Sequence, residues 1–118
     1  MQKMYAMLIG VVLVLVGVLG FVSNPLVGKD PDAIFGVNTY QNILHLVGGA
    51  LMVYGGYSGA GKMSNMILGF VSAIVAVLGF IPATASLLMD IFGINMAISI
   101  LHAAIGVVSL AIAYGVKE

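Results

Sequence analysis

His45 and His102 each sit inside a long apolar run, in the same tripeptide, Ile-Leu-His, at 43–45 and 100–102. An imidazole can ligate a metal, carry a proton or hydrogen-bond across a helix interface. On a helix, Asn42 and Ser99 stand one turn before the two histidines, and Asn38 and Asn95 one turn earlier still. Gly49 and Gly106 follow one turn later. Three chemistries suit this pattern. The histidines could form a structural polar layer, bonding each other, Ser72 or a buried water. They could be the two axial ligands of a b-type haem, with the following glycines leaving room for the porphyrin. They could instead close a pocket for a small solute or a proton, lined by Asn38, Asn42, Asn95 and Ser99.

Other chemistries find less support. The sequence has no arginine to hold haem propionates, and Lys29 lies in a joining segment. Eight methionines suit soft copper in principle, but methionine in a lipid-facing helix is ordinarily a flexible apolar filler. Zinc would need a third or fourth ligand near the histidines, so no metal site is expected. The absence of cysteine removes thiolate ligands and thiol nucleophiles. Asp30, Asp32 and Asp90 fall in the joins between apolar runs, too far from the histidines for a catalytic triad. Gly56–Met63 nearly matches a phosphate-binding loop, but Met63 replaces the hydroxyl that would meet magnesium, and no strand precedes it. The expectation is a protein without enzymatic activity.

These residues need elements to hold them. Hydrophobic residues make up 62% of the chain and charged ones 7%, with mean hydropathy +1.20. Eight formal charges cannot keep a water-facing surface of this size wet, so the expected solvent is lipid. Zero net charge gives no nucleic-acid footprint. Apolar segments at about 4–22, 35–56, 64–81 and 91–114 are each long enough to cross a hydrocarbon core of roughly 30 Å. The joins at 23–34, 57–63 and 82–90 carry the turn residues and most of the charges. Although Lys3 precedes the first apolar core, no small-x-small cleavage site follows, so it reads as a span and not a signal peptide.

That segment also has a twin. Residues 8–22 align without gaps on 67–81, and 35–49 on 92–106. The chain therefore reads as one transmembrane domain over 1–118, built from two helical-hairpin repeats at about 4–56 and 64–114. Both hairpins enter the membrane in the same sense, so they form a parallel repeat about a pseudo-twofold axis along the membrane normal. The expected fold is an all-α four-helix transmembrane bundle.

Each helix carries one stripe of small or polar residues at alternating steps of three and four. The stripes contain Gly10, Gly17 and Gly20 in the first, Asn38, Asn42, His45, Gly49 and Gly56 in the second, Gly69, Ser72 and Gly79 in the third, and Asn95, Ser99, His102 and Gly106 in the fourth. Membrane helices associate through close backbone approach and interhelical hydrogen bonds, so the stripes should face a common interior. The histidines then meet near the mid-plane, beside Leu13 and Ser72. Polar residues on only one side of that layer predict a blind, outward-facing pocket. Lys3, Lys62 and Lys117 on one side, against Lys29 on the other, place both termini in the cytoplasm.

The pattern FGVN-x-x-x-NILH-x-x-x-G, its echo FGIN…ILH-x-x-x-G and the preceding VLGF resemble a family of small four-span prokaryotic integral membrane proteins. That family is catalogued only as a domain of unknown function. Its N-x-x-H motif opens the second helix, here at Asn42 and His45; the second copy has Ser99 where the asparagine would stand. The resemblance implies a four-helix fold in a cell membrane and brings no activity. Together the readings favour a multi-pass structural or assembly subunit of the lipid bilayer, in a homo-oligomer or larger membrane complex. Haem binding and a solute or proton pocket are the alternatives.

Overall fold

The computed structural model describes residues 1–22, 24, 26–28 and 34–116. Among them are five helices: α1 (Gln2–Leu19), α2 (Thr39–Tyr57), α3 (Gly61–Phe80), α4 (Pro82–Phe92) and α5 (Met96–Gly115). Two short strands, β1 (Val27–Gly28) and β2 (Phe35–Gly36), pair in parallel, Val27 opposite Phe35 and Gly28 opposite Gly36. Lys29 and Lys117, on which the orientation partly rests, lie outside the described residues, as do Asp30 and Asp32.

α1, α3 and α5 are long and apolar enough to cross a membrane. α2 has 19 residues, but Thr39, Gln41, Asn42 and His45 dilute its apolar character. α1 packs chiefly on α2, and α3 on α5. Gly10 lies against Val53 and Gly17 against Leu46, so α1 and α2 run antiparallel. Gly69 against Leu110 and Gly79 against Ser99 give the same sense to α3 and α5. The N-terminal ends of α1 and α3 meet, where Gly61 approaches Gln2 and Lys3.

The distribution of side chains inverts that of a water-soluble domain. Leu8, Val12, Leu15, Ile67, Ile74, Val77 and Val107 are exposed, whereas Gln2, Gln41, Asn42, Asn65, Ser72, Ser99 and Ser109 are buried. Lipid already satisfies apolar side chains, so what must be hidden from it is the polar minority.

The structure corrects two of the sequence boundaries. Residues 82–90 are not a connection but most of α4. Pro82 stands at its first turn, where the missing N–H costs nothing and the fixed φ favours a helix. Ala83, Ala85, Leu87, Leu88 and Met89 then propagate it. Gly93 ends it in the left-handed conformation, φ 69°, and the Ile94 N–H returns to the Leu88 carbonyl at 3.3 Å. Leu88, Ile94 and Ile98 form one buried apolar cluster that fastens α4 to α5. The last helix consequently starts at Met96 and not at 91. Likewise the second helix starts at Thr39 and not at 35, because Phe35–Gly36 pairs with the preceding loop. Asn38 and Asn95 therefore do not belong to helical stripes. They are the N-caps of α2 and α5, and their side-chain oxygens accept from the Gln41 and Ile98 N–H groups at 3.0 Å.

Candidate functional site

The glycines nearest the histidines are occupied by neighbouring backbone. A Cβ at Gly49 would lie 2.6 Å from the Gly10 carbonyl oxygen, and one at Gly10 would lie 2.7 Å from the Gly49 oxygen. On the other helix pair, a Cβ at Gly106 would lie 2.9 Å from the Ala73 nitrogen. Gly17 meets Leu46 and the Asn42 carbonyl, Gly56 meets Met7 and the Lys3 carbonyl, and Gly69 meets Leu110. These are the short helix–helix approaches that only a residue without a side chain permits. The space expected beside Gly49 and Gly106 for a porphyrin is thus taken by α1 and α3, and the residues present do not fit haem.

His45 and His102 come together, with ring centroids 6.4 Å apart and ring planes at 60°. Nδ1 of each ring is buried without a hydrogen-bond partner, so neither the expected bond between the rings nor one to Ser72 is made through that atom. Ser72 is buried in α3 and Leu13 is half-buried in α1. One turn away, Asn42 is 0% exposed and both its amide atoms lack partners; its side chain packs on Gly20. Among the described residues no three His, Asp or Glu side chains stand close enough to hold a metal ion.

At the end of the molecule that carries β1 and β2, the N-caps do double duty. Asn38 donates to the Ile91 carbonyl at 2.7 Å, and Asn95 donates to the Ile34 carbonyl at 3.1 Å. Each cap therefore holds its own helix and reaches across to the segment before the other, Asn38 to the last turn of α4 and Asn95 to the residue before β2. Gln41 adds bonds to the Phe92 and Gly36 carbonyls at 2.9 and 3.2 Å.

The opposite end is closed by a residue that the sequence reading passed over. Gln2 is 0% exposed. Its amide nitrogen donates to the Ile112 and Val116 carbonyls of the α5 C-terminus at 2.7 and 2.8 Å. Its amide oxygen and its backbone carbonyl accept from Asn65 of α3 at 2.9 and 3.1 Å. One side chain thereby joins three helices and satisfies carbonyls that a helix C-terminus leaves open. Tyr5 and Ser109 share a hydrogen bond of 2.6 Å one turn inward. A polar residue beside the first methionine reads as solvated, and nothing near it in sequence indicates partners more than a hundred residues away.

The expected axial pocket does not form from the residues named for it. Asn38 is spent on its cap and cross-bond, and Asn42 is packed shut against Gly20. A cavity of about 340 Å³ lies instead between α3, α4 and the start of α5, and of the expected lining only Asn95 and Ser99 contribute. Gly79 lies at its base against Ser99. The near match to a phosphate loop is the end of α2, the turn at Ser58–Gly59 and the start of α3, with Lys62 exposed.

No curated protein and no solved structure matches the chain. One family model, described as "Domain of unknown function (DUF4383)", matches residues 3–115. That match covers all five helices except Gln2, together with the Asn42–His45 motif, and the chain belongs to this family.

Proposed function

We propose that the protein is a small multi-pass subunit of the cell membrane, without catalytic activity, which contributes structure or assembly to a homo-oligomer or larger membrane complex. In this reading α1, α2, α3 and α5 all cross the bilayer as a four-span bundle, and α4 lies at the outer face. The chain is two parallel hairpin repeats about a pseudo-twofold axis along the membrane normal. The termini and the α2–α3 turn are cytoplasmic, in keeping with Lys3 and Lys62 at that end.

The observation that carries the reading is the reciprocal use of matched residues. Asn38 reaches Ile91 while Asn95 reaches Ile34, and these four are the aligned positions of the two halves. The Gly10–Val53, Gly49–Val14 and Gly20–Asn42 contacts are matched in the same way by Gly69–Leu110, Gly106–Ala73 and Gly79–Ser99. Gln2, Asn65, Tyr5 and Gln41 tie helices together by hydrogen bonds, and Asn42 and Ser99 do so by packing on Gly20 and Gly79. The histidine layer at the mid-plane belongs to the same scheme.

Two measurements test this. His45→Ala and His102→Ala should each lower stability in detergent by roughly 0.6 kcal/mol, the average for interhelical polar contacts in membranes. The purified protein should show no Soret absorbance after haem supplementation. Unchanged melting in both variants removes the structural role of the layer, and a haem spectrum lost in both variants replaces it with cofactor binding. The chain has no cysteine, so single cysteines report topology cleanly. Ser58→Cys should react only from the cytoplasmic side and Ser86→Cys only from the outside. Labelling of both from one side contradicts the span assignment.

A further inference from the structure

The cavity between α3, α4 and α5 has Ser99 in its lining, at the position that Asn42 occupies in the first half. In the first half the Asn42 amide packs on Gly20; in the second the shorter Ser99 packs on Gly79 and leaves space beside it. Ser99 is 1% exposed, and its neighbours in the lining include Ser86, Met89 and Asp90. Asn95 also lines the space, but its amide is committed to Ile98 and Ile34.

Asp90 is exposed in the last turn of α4, where the helix dipole disfavours a carboxylate, although the Leu88, Met89, Ile91 and Phe92 carbonyls already accept from Ile94, Gly93, Asn38 and Gln41. No basic residue stands in that turn. The described lysines, Lys3 and Lys62, are in the first turns of α1 and α3, at the far end of the molecule. A cation at this cavity would pair with the carboxylate and complement the helix dipole. Around the acid the remaining polar groups are the Ser86 and Ser99 hydroxyls, which can accept. Beside the mouth, Leu87, Met89, Ile91 and Met96 are exposed and apolar.

We propose that this cavity binds a primary ammonium group, with Asp90 as its counter-ion and Ser86 and Ser99 as further acceptors. Three N–H donors match three acceptors, which a quaternary ammonium cannot do. The group can come from the ethanolamine headgroup of a phospholipid, whose chains would run along the exposed apolar flank, or from a free amine. The inference goes beyond the scaffold reading and survives its failure, because it concerns a different set of side chains.

The test uses the full chain, purified in detergent and stripped of lipid, titrated with phosphatidylethanolamine, phosphatidylcholine of the same acyl chains, and free ethanolamine, and read by native mass spectrometry and thermal shift. Phosphatidylethanolamine should bind about tenfold more tightly than phosphatidylcholine, the discrimination of one charge-assisted contact. Asp90→Asn should abolish that preference. Ser99→Asn should place a larger side chain in the cavity and abolish binding while the protein still melts cooperatively. Free ethanolamine competing at concentrations like those of the lipid would assign the site to soluble amines; no competition would assign it to the lipid. Equal binding of the two phospholipids, or a preference that persists in both Asp90→Asn and Ser99→Asn, overturns the proposal. Should Asp90→Asn fail to fold, Ser99→Asn decides alone.

Discussion

Gly49→Leu is expected to break the α1–α2 pair, whereas Gly48→Leu, one residue away, should leave it intact. At Gly49 the first added carbon would stand 2.6 Å from the Gly10 carbonyl oxygen and 2.8 Å from the Val14 backbone nitrogen. Neither atom is the loose end of a side chain. The helices must separate, and the loss spreads to the Gly10 contact on the same seam. Forcing bulk into a packed interface costs about 1 to 3 kcal/mol when the surroundings can shift, and more when they are backbone. A loss of about 3 kcal/mol or more is expected at Gly49. Gly48 has no atom within 4 Å of an added Cβ, so leucine there projects freely and improves helix propensity. Thermal melting and gel-filtration profiles in one detergent check the pair. Equal melting of the two variants would mean that α1 and α2 do not approach along Gly10 and Gly49.

Gly49 marks how far the sequence could be read. Its place on a seam is legible because burial on a helix repeats every three to four residues, and small residues at that spacing inside an apolar run have few other uses. Gly10, Gly17, Gly69, Gly79 and Gly106 are recognisable in the same way. The histidine pair is legible too, since two Ile-Leu-His copies at equal depth are bound to face each other once their stripes do. What spacing does not encode is which atom fills a gap. The glycines around His45 and His102 could equally have framed a porphyrin, and only the Gly10 and Ala73 backbones show that they do not. Nor does spacing separate a cap from a first turn. Asn38 and Asn95 continue the helical rhythm by one step, yet their backbones are extended. The α4 segment was obscured by its own start signal, since a proline before Ala-Thr-Ala-Ser reads as a loop until Gly93 is seen to end a helix.

The second large effect is expected at Gln2, in which the sequence offers no pattern at all. Gln2→Leu keeps the side chain near its size but removes the donor to Ile112 and Val116 and the acceptor for Asn65. Each bond is worth about 1 kcal/mol net, and Asn65 keeps its bond to the backbone carbonyl of residue 2. The expected loss is about 3 kcal/mol, with faster amide exchange at the C-terminal turn of α5. Asn65→Leu should be costly too, but the double variant should lose less than the two singles together, because it removes both members of the Gln2–Asn65 bond and orphans neither. Strict additivity would show that the two amides do not interact. The matched positions explain why this lock exists once and not twice. Gln2 aligns with Gly61 and Asn65 with Ala6, and Gly61 must stay small because its Cβ would meet the Lys3 nitrogen at 2.9 Å. A large amide in one half therefore requires a glycine in the other. The two aligned segments are joined by equal contacts at the Asn38–Asn95 end, but by different ones at the Gln2 end.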